Sequence, residues 1–349
     1  MNAQAQELYE KMKIDLGKIV PDVELSIKAE IAIEIEQLKK ERNAVILGHN
    51  YMEPVLFYSI PDFKGDSLDL SRKAAETDKD VIVFCGVRFM AETAKILNPG
   101  KTVLLPAKRA GCSLAASITA EDVRALKRKY PGVPVVTYVN TYADVKAESD
   151  ICCTSGYDIA VVESLKTDTV IFLPDQYLAG NVAKETGKHI IFPSLAPVAA
   201  GGDGASLLDV QMIGWHGRCE VHEKFTVEDI RTIRKQFPDV AVLTHPECSP
   251  EVVAESDFSG STNAMVKFVR ESKAPQYLVL TECSMGDNIA AANPEKDMLR
   301  LCMVRCPHMN MITMEDTRDA LKYNQYVIDI PEDIRVRAFQ AVDRMIKIG

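Results

Sequence analysis

Two hydrophobic patterns alternate along the chain. Short apolar runs at 44–47, 81–84, 170–173 and 277–280 have the length and β-branched content of buried strands. Between them lie stretches with apolar residues at helical spacing, such as Val123, Leu126 and Tyr130. Strand-like runs alternating with amphipathic helices predict parallel α/β units.

The pattern repeats. Thr119, Glu121, Asp122, Val123 and Arg124 recur as Thr226, Glu228, Asp229, Ile230 and Arg231, without a gap and at an offset of 107 residues. A third copy opens at Thr313, Glu315, Asp316 and Arg318. Each copy follows a cysteine by seven residues: Cys112, Cys219 and Cys306. The threonines are expected helix N-caps, and the acids that follow suit the positive end of the helix dipole. Pro131 and Pro238 are expected to end the first two helices. A strand should follow each, at 133–139 and 240–244. In the first unit, the helix ending at 37–40 and the run 44–47 are the counterparts. Second and third strands are expected at 81–84 and 103–105, at 170–173 and 190–192, and at 277–280 and 298–303.

Ligands gather at the carboxyl ends of such strands. The first strand of each unit ends in a polar cluster: His49-Asn50-Tyr51, Tyr138-Val139-Asn140, and His245-Pro246-Glu247. Three units would each present one cluster and one cysteine to a common centre. The expected fold is α/β, with three similar three-layer αβα domains in pseudo-threefold arrangement around a central active site. The expected domains are 1–111, completed by C-terminal helices 313–349, then 112–218, then 219–312. His49 precedes Cys112 by 63 residues and His245 precedes Cys306 by 61, but Tyr138 precedes Cys219 by 81. The second unit therefore carries an insertion, expected near 193–212. Gly201-Gly202-Asp203-Gly204 within it reads as a loop, with phosphate binding the lesser reading because the Walker pattern is missing.

Composition narrows the chemistry. The 349 residues are 47% hydrophobic and 26% charged, which fits a folded globular protein. No apolar run reaches the length of a membrane helix. The net charge of -9 disfavours a general nucleic-acid binder. Residues 1–18 are charged throughout and lack the apolar core of a secretory signal, so a cytoplasmic location is expected.

In the reducing cytosol nine cysteines are not expected to form structural disulfides. Position divides them. Cys112, Cys219 and Cys306 are the candidate metal ligands, since three thiolates from equivalent loops suit an iron–sulfur cluster with one iron left open. Cys302, four residues before Cys306, is a rival ligand or a core residue. Cys85, Cys248 and Cys283 read as buried or near-site thiols, and the adjacent Cys152 and Cys153 are not expected to be cluster ligands together. His49, His222 and His245 cluster with these motifs, and Glu247 is a candidate general base. Ser67, Ser155, Ser261 and Thr262 resemble helix N-termini able to hold phosphate or carboxylate.

Together these stretches resemble the quinolinate synthase family. The resemblance runs from about residue 40 to 315. It covers His49-Asn50-Tyr51, Gly65-Asp66-Ser67-Leu68, Ala110-Gly111-Cys112-Ser113-Leu114, Gly217-Arg218-Cys219-Glu220-Val221-His222, His245-Pro246-Glu247-Cys248, Gly260-Ser261-Thr262 and Cys306-Pro307-His308-Met309-Asn310. It implies one [4Fe–4S] cluster on Cys112, Cys219 and Cys306. It also implies condensation of iminoaspartate with dihydroxyacetone phosphate to quinolinate, phosphate and water, in NAD biosynthesis. Iminoaspartate would come from L-aspartate oxidase, by diffusion or handover. By motif position, Glu247 is the implied base and Tyr51 a proton-relay group. His49, His245, Ser261 and Thr262 would hold carboxylates, and Ser67 and Ser155 phosphate or carboxylate. Tyr138, Asn140 and Met90 would line the pocket, with His222 tuning it or shuttling protons. Arg88 stands where the family commonly has histidine. Gly156-Tyr157-Asp158 departs from the usual residues, and Thr281-Glu282-Cys283-Ser284 marks one subgroup. Two rival readings remain at this point: a cluster-dependent hydro-lyase acting on a hydroxy acid, and a non-catalytic metal or redox protein.

Overall fold

The computed structural model describes residues 2–193, 209–299 and 304–348. Three parallel sheets follow one another along the chain. The first contains β1 (Ala44–His49), β2 (Phe63–Gly65), β3 (Val81–Cys85) and β4 (Thr102–Leu104), in the order β2-β1-β3-β4. The second contains β5 (Val135–Tyr138), β6 (Ile151–Cys153), β7 (Val170–Leu173), β8 (Ile190–Ile191) and β9 (Met212–Ile213), in the order β6-β5-β7-β9-β8. The third contains β10 (Val240–Thr244), β11 (Phe258–Ser259), β12 (Gln276–Leu280) and β13 (Asp297–Met298), in the order β11-β10-β12-β13. Strands β1, β3, β5, β7 and β10 are buried at every residue. That is the mark of a parallel strand covered on both faces by helices. The three-unit αβα architecture expected from the repeat is the one observed.

The repeat helices begin where the threonines place them, at Ala120–Lys129, Val227–Gln236 and Met314–Tyr323. Each threonine accepts the backbone N–H of the aspartate three residues on. In the first two, the aspartate returns a bond to the threonine N–H, which closes a capping box. Such a cap stabilises a helix by roughly 1 kcal/mol. The first two helices end at Lys129 and Gln236, with Tyr130 and Phe237 capping them directly before Pro131 and Pro238.

The strand expected at 190–192 is present as β8, at the sheet edge. A further strand, β9, pairs with β7, and β8 lies outside it on β9. The inserted segment lets the chain leave the sheet edge as β8 and re-enter inside it as β9. Residues 194–208 of that insertion, with Gly201-Gly202-Asp203-Gly204, lie outside the described residues, as does Cys302. The strand expected at 298–303 is described only as Asp297–Met298.

The C-terminal segment returns to the first unit. Leu104 pairs antiparallel with Val327, beside β4. Helix Met314–Tyr323 packs on Asp22–Arg42, and Glu332–Ile348 packs on Arg88–Leu97, Ala143–Ala147 and β6. Arg337 reaches Glu148 at 2.7 Å, and Arg344 donates to the carbonyl of Asp150 at 2.7 Å, which ties this last helix to the second unit. No described helix is long and apolar enough to cross a membrane.

Candidate active site

Equivalent positions of the three units converge on one cleft, with about 70 Å³ of room for water-sized groups. The ends of β1, β5 and β10 supply His49 and Tyr51, Tyr138 and Asn140, and His245 and Glu247. The helix starts after β2 and β11 supply Ser67 and Thr262, and the loop after β6 supplies Ser155. The cysteine loops supply Cys112, Cys219 and Cys306, and Met90 and His222 complete the wall. Every sequence-derived candidate except Ser261 lines this cleft. Ser261 caps helix Thr262–Glu271 through the N–H of Ala264 and faces an adjoining cavity, shared with Ser155 and Gly156. Ser67 is the first residue of its helix, behind the Asp66 cap. Ser155 does not sit at a helix start as expected. Helix Asp158–Ser164 begins three residues later, with Tyr157 as its cap.

Side-chain bonds between the units hold the walls in place. Asn50 donates to Thr262 and to Asn263, both at 2.8 Å, joining the first unit to the third. Asn181 donates to the carbonyls of Pro246 and Cys248, joining the second to the third. The buried Lys146 donates to the carbonyls of Val139 and Thr141, on either side of Asn140. Asn140 in turn donates to Glu247 Oε1 at 3.1 Å.

The histidine tautomers follow from backbone geometry. His49 Nδ1 accepts the N–H of Tyr51 at 3.2 Å, and His245 Nδ1 accepts that of Glu247 at 3.3 Å. In both rings the neutral form then carries its proton on Nε2. Burial holds His49 down to about 3; burial and the neighbouring His222 do the same for His245. Both are therefore uncharged N–H donors. His245 Nε2 lies 3.3 Å from Ser155 Oγ.

Glu247 and His222 are both buried, and Nδ1 of His222 lies 2.7 Å from Oε2 of Glu247. Burial opposes the carboxylate charge, but His222 outweighs it through charge and hydrogen bonding, with help from His245 and Tyr138, and Glu247 falls to about 2. Nε2 of His222 lies 2.8 Å from Thr281 Oγ1, which is 2.6 Å from the Tyr51 hydroxyl. Thr281 was not among the site residues read from the sequence. Its signals were its place just after β12 and the Thr281-Glu282-Cys283-Ser284 stretch noted above.

The cysteines share one local design. Each opens a short 3₁₀ turn: Ala115–Ser117, His222–Lys224 or Met309–Met311. Backbone N–H groups two and three residues on act on each sulfur: Leu114 and Ala115, Val221 and His222, His308 and Met309. Burial pushes the Cys112 thiol up to about 12 and Cys306 to about 11, and raises Cys219 well above the ordinary range. Three half-buried thiols with equivalent amide cradles are suited to becoming thiolates on a cationic metal group, which deprotonates them on binding. None of the three is paired in a disulfide. Glu282 caps helix Cys283–Ala292 and accepts the Cys306 N–H at 3.4 Å. Cys112 N–H donates instead to the Tyr142 hydroxyl at 3.3 Å. Cys85, Cys152, Cys153 and Cys248 are buried and do not line the cleft.

Cys219, His222 and Glu247 also place ligand atoms within 4.8 Å of one another. A single metal ion there would need a free ring nitrogen. Both nitrogens of His222 are already engaged, by Glu247 and Thr281. The three-cysteine set is the better match to a metal group.

Comparison with known proteins agrees with this geometry. The family described as Quinolinate synthetase A protein matches residues 33–347. The chain is 52% identical over 341 residues to Quinolinate synthase 2 of Mesorhizobium japonicum, covering 98% of this chain and 97% of that protein. It is 49% identical over 344 residues to the quinolinate synthase of Agrobacterium fabrum, covering 99% and 92%. It is 45% identical over 352 residues to that of Caulobacter vibrioides, covering 100% and 89%. A match that spans all three units and every loop of the cleft means that the chain belongs to the quinolinate synthetase A family.

Proposed function

We infer that the protein is a quinolinate synthase. It condenses iminoaspartate with dihydroxyacetone phosphate to give quinolinate, phosphate and water. The observation that carries this reading is the convergence of three cysteines, two neutral histidines and the Glu247–His222 pair on one cleft, in a chain whose relatives bear that name. The reading includes one [4Fe–4S] cluster on Cys112, Cys219 and Cys306. When bound, it would supply an iron with an open position, able to act as a Lewis acid. The domains of the reading are 1–111 with 313–349, 112–218, and 219–312. The reading also places the protein in the cytoplasm, where iminoaspartate reaches it by diffusion or by handover from L-aspartate oxidase.

The substrates bring two carboxylates and a phosphate to a cleft with no lysine or arginine among its described lining residues. Neutral donors among them are placed to hold the anions. His49 and His245 offer Nε2–H, and Ser67, Ser155 and Thr262 offer hydroxyls. Ser67 and Thr262 also stand in the first turns of helices, whose unpaired N–H groups favour anions. Ser261 would act from the adjoining cavity. Tyr138, Asn140 and Met90 shape the wall against which the condensing chain lies.

Proton movement falls to Glu247, His222 and Tyr51. A carboxylate as acidic as Glu247 is a weak base alone. Paired with His222 it orients the ring and favours a proton arriving there, so the pair acts as the base. Burial holds the Tyr51 hydroxyl protonated, raised well above its usual range, and ready to donate. The test is anaerobic incubation with iminoaspartate and dihydroxyacetone phosphate. Quinolinate and phosphate in equal amounts are expected. Absence of quinolinate from iron-loaded protein would overturn the assignment.

A further inference from the structure

We propose that Tyr142 is a positioning residue for the metal ligand Cys112, and that Arg88 holds Tyr142 in place. This rests on the reading of Cys112, Cys219 and Cys306 as the ligands of one metal group. The observation behind it is a break in the threefold pattern. Strands β3, β7 and β12 each lead into a helix, capped in turn by Val87, Asp175 and Glu282. Two of these caps are acids, and each also faces the backbone of the next ligand cysteine along the chain. The Cys219 N–H acts on the Asp175 carboxyl, and the Cys306 N–H donates to Glu282 Oε1 at 3.4 Å. Val87 has no side-chain oxygen to offer. The Cys112 N–H donates instead to the hydroxyl of Tyr142, at 3.3 Å.

Local packing leaves that tyrosine little freedom. The Arg88 guanidinium lies over its ring, 5.1 Å from the centroid, where the ring face attracts a cation. Arg88 Nε donates to Glu92 Oε1 at 2.7 Å. The other oxygen of the buried Glu92 accepts the N–H of Ala143, next to Tyr142, at 2.8 Å. The backbone N–H of Arg88 donates to the carbonyl of Ala110 at 2.8 Å. One helix start therefore grips both sides of the contact: Ala110, two residues before Cys112, and Tyr142 itself. Loop and ring already touch, since a Cβ on Gly111 would stand 3.3 Å from the Tyr142 hydroxyl. The tyrosine supplies an acceptor without adding a third acid beside the cysteines. Without its hydroxyl the Cys112 N–H loses its partner, and the loop can turn the sulfur out of register.

The experiment measures how fast iron passes anaerobically from the loaded protein to the chelator ferrozine. It compares wild type, Tyr142→Phe, Arg88→Gln and the double variant. Tyr142→Phe keeps the ring under Arg88 and removes only the oxygen. Its iron release is expected to be about 10-fold faster, the scale of one lost hydrogen bond. The visible circular dichroism of the bound metal group should change with it, because that signal reports how the ligands are arranged. Arg88→Gln should speed release by a smaller factor. It should add nothing in the Tyr142→Phe background, since Arg88 acts through the tyrosine oxygen. A tyrosine that only packs the units together would leave the dichroism unchanged and let the two effects multiply, and either result overturns the proposal. So does wild-type release in Tyr142→Phe. If that variant does not fold, Arg88→Gln carries the same comparison of release and dichroism against wild type. Wild type that holds no iron and sulfide would instead sink the three-cysteine reading, which keeps the two failures apart.

Discussion

The ring of His222 lies flat on that of His245, with centroids 4.6 Å apart and planes 20° apart. Two stacked imidazoles that close cannot both be cations without strong repulsion. The Glu247 carboxylate is bonded to His222, which gives a charge there a partner. Among the described residues the His245 ring meets a backbone N–H and the Ser155 hydroxyl, and burial keeps it neutral. In the function proposed above, the stack divides labour between a ring that moves protons and a ring that holds substrate.

Glu247→Gln tests that division. The amide fits the space and can still accept from His222, but it cannot balance a positive ring. We expect kcat to fall by about 100- to 1000-fold, in line with losing a general-base unit. Iron content should stay near wild type, while the melting temperature falls because the buried pair with His222 is lost. Equal losses of iron and activity would show that Glu247 serves the metal site instead.

The cysteine division is tested by anaerobic iron and sulfide counts. Cys112→Ser, Cys219→Ser and Cys306→Ser should each lose most of the iron. Cys85→Ser, Cys152→Ser and Cys248→Ser should keep it, since those sulfurs do not line the cleft. Cys302→Ser should also keep it if the ligand set is right. Zinc in place of iron, lost in Cys219→Ser alone, would favour the Cys219, His222 and Glu247 trio.

Much of this site was legible in the sequence because repeats expose equivalence. The threonine caps fixed the register of the units, and register brought His49, Tyr138 and His245 to corresponding strand ends. Thr281 escaped because its contacts with His222 and Tyr51 depend on which side chains face it across the units, and no periodicity reports that. The order of β8 and β9 escaped for a related reason: two-residue strands leave almost no pattern, and an insertion hides which of them adjoins β7. The place of Ser155 was misread because Thr154, Ser155 and Gly156 look like a cap, yet the helix waits until Asp158.

Acid should weaken the fold from about pH 6.5 downward. His49 and His245 are held down to about 3, whereas an unfolded histidine takes up a proton near 6.5. Below that pH the unfolded chain binds more protons than the folded one, so stability falls as pH falls. The slope is up to about 1.4 kcal/mol per pH unit for each such histidine. Glu247, lowered to about 2, adds a loss in the same direction once the pH drops below its ordinary value of 4.5. Anaerobic urea midpoints between pH 8 and 5.5, taken where visible absorbance is unchanged, measure the slope. His49→Asn should flatten it, and an unchanged slope would mean that His49 is not held neutral.

Gly217 should control how well Cys219 is placed. A Cβ there would stand 2.6 Å from the carbonyl oxygen of Pro174 and closer still to Ser117 Oγ. The serine can turn aside, but the backbone oxygen cannot. Gly217 also accepts the N–H of Gln176 at 2.7 Å and pairs in parallel with Asp175, so its strand lies tight against the end of β7. Gly217→Ala must push apart the segment that leads, two residues later, to Cys219. We expect a loss of about 1–3 kcal/mol, the usual cost of overpacking. Iron occupancy should drop with it, because one of three thiolates moves out of register. Gly100→Ala is the control, since a Cβ there meets nothing within 4 Å. Full iron in Gly217→Ala would show that the Cys219 loop adjusts on its own and that its close packing on Pro174 does not set the metal site.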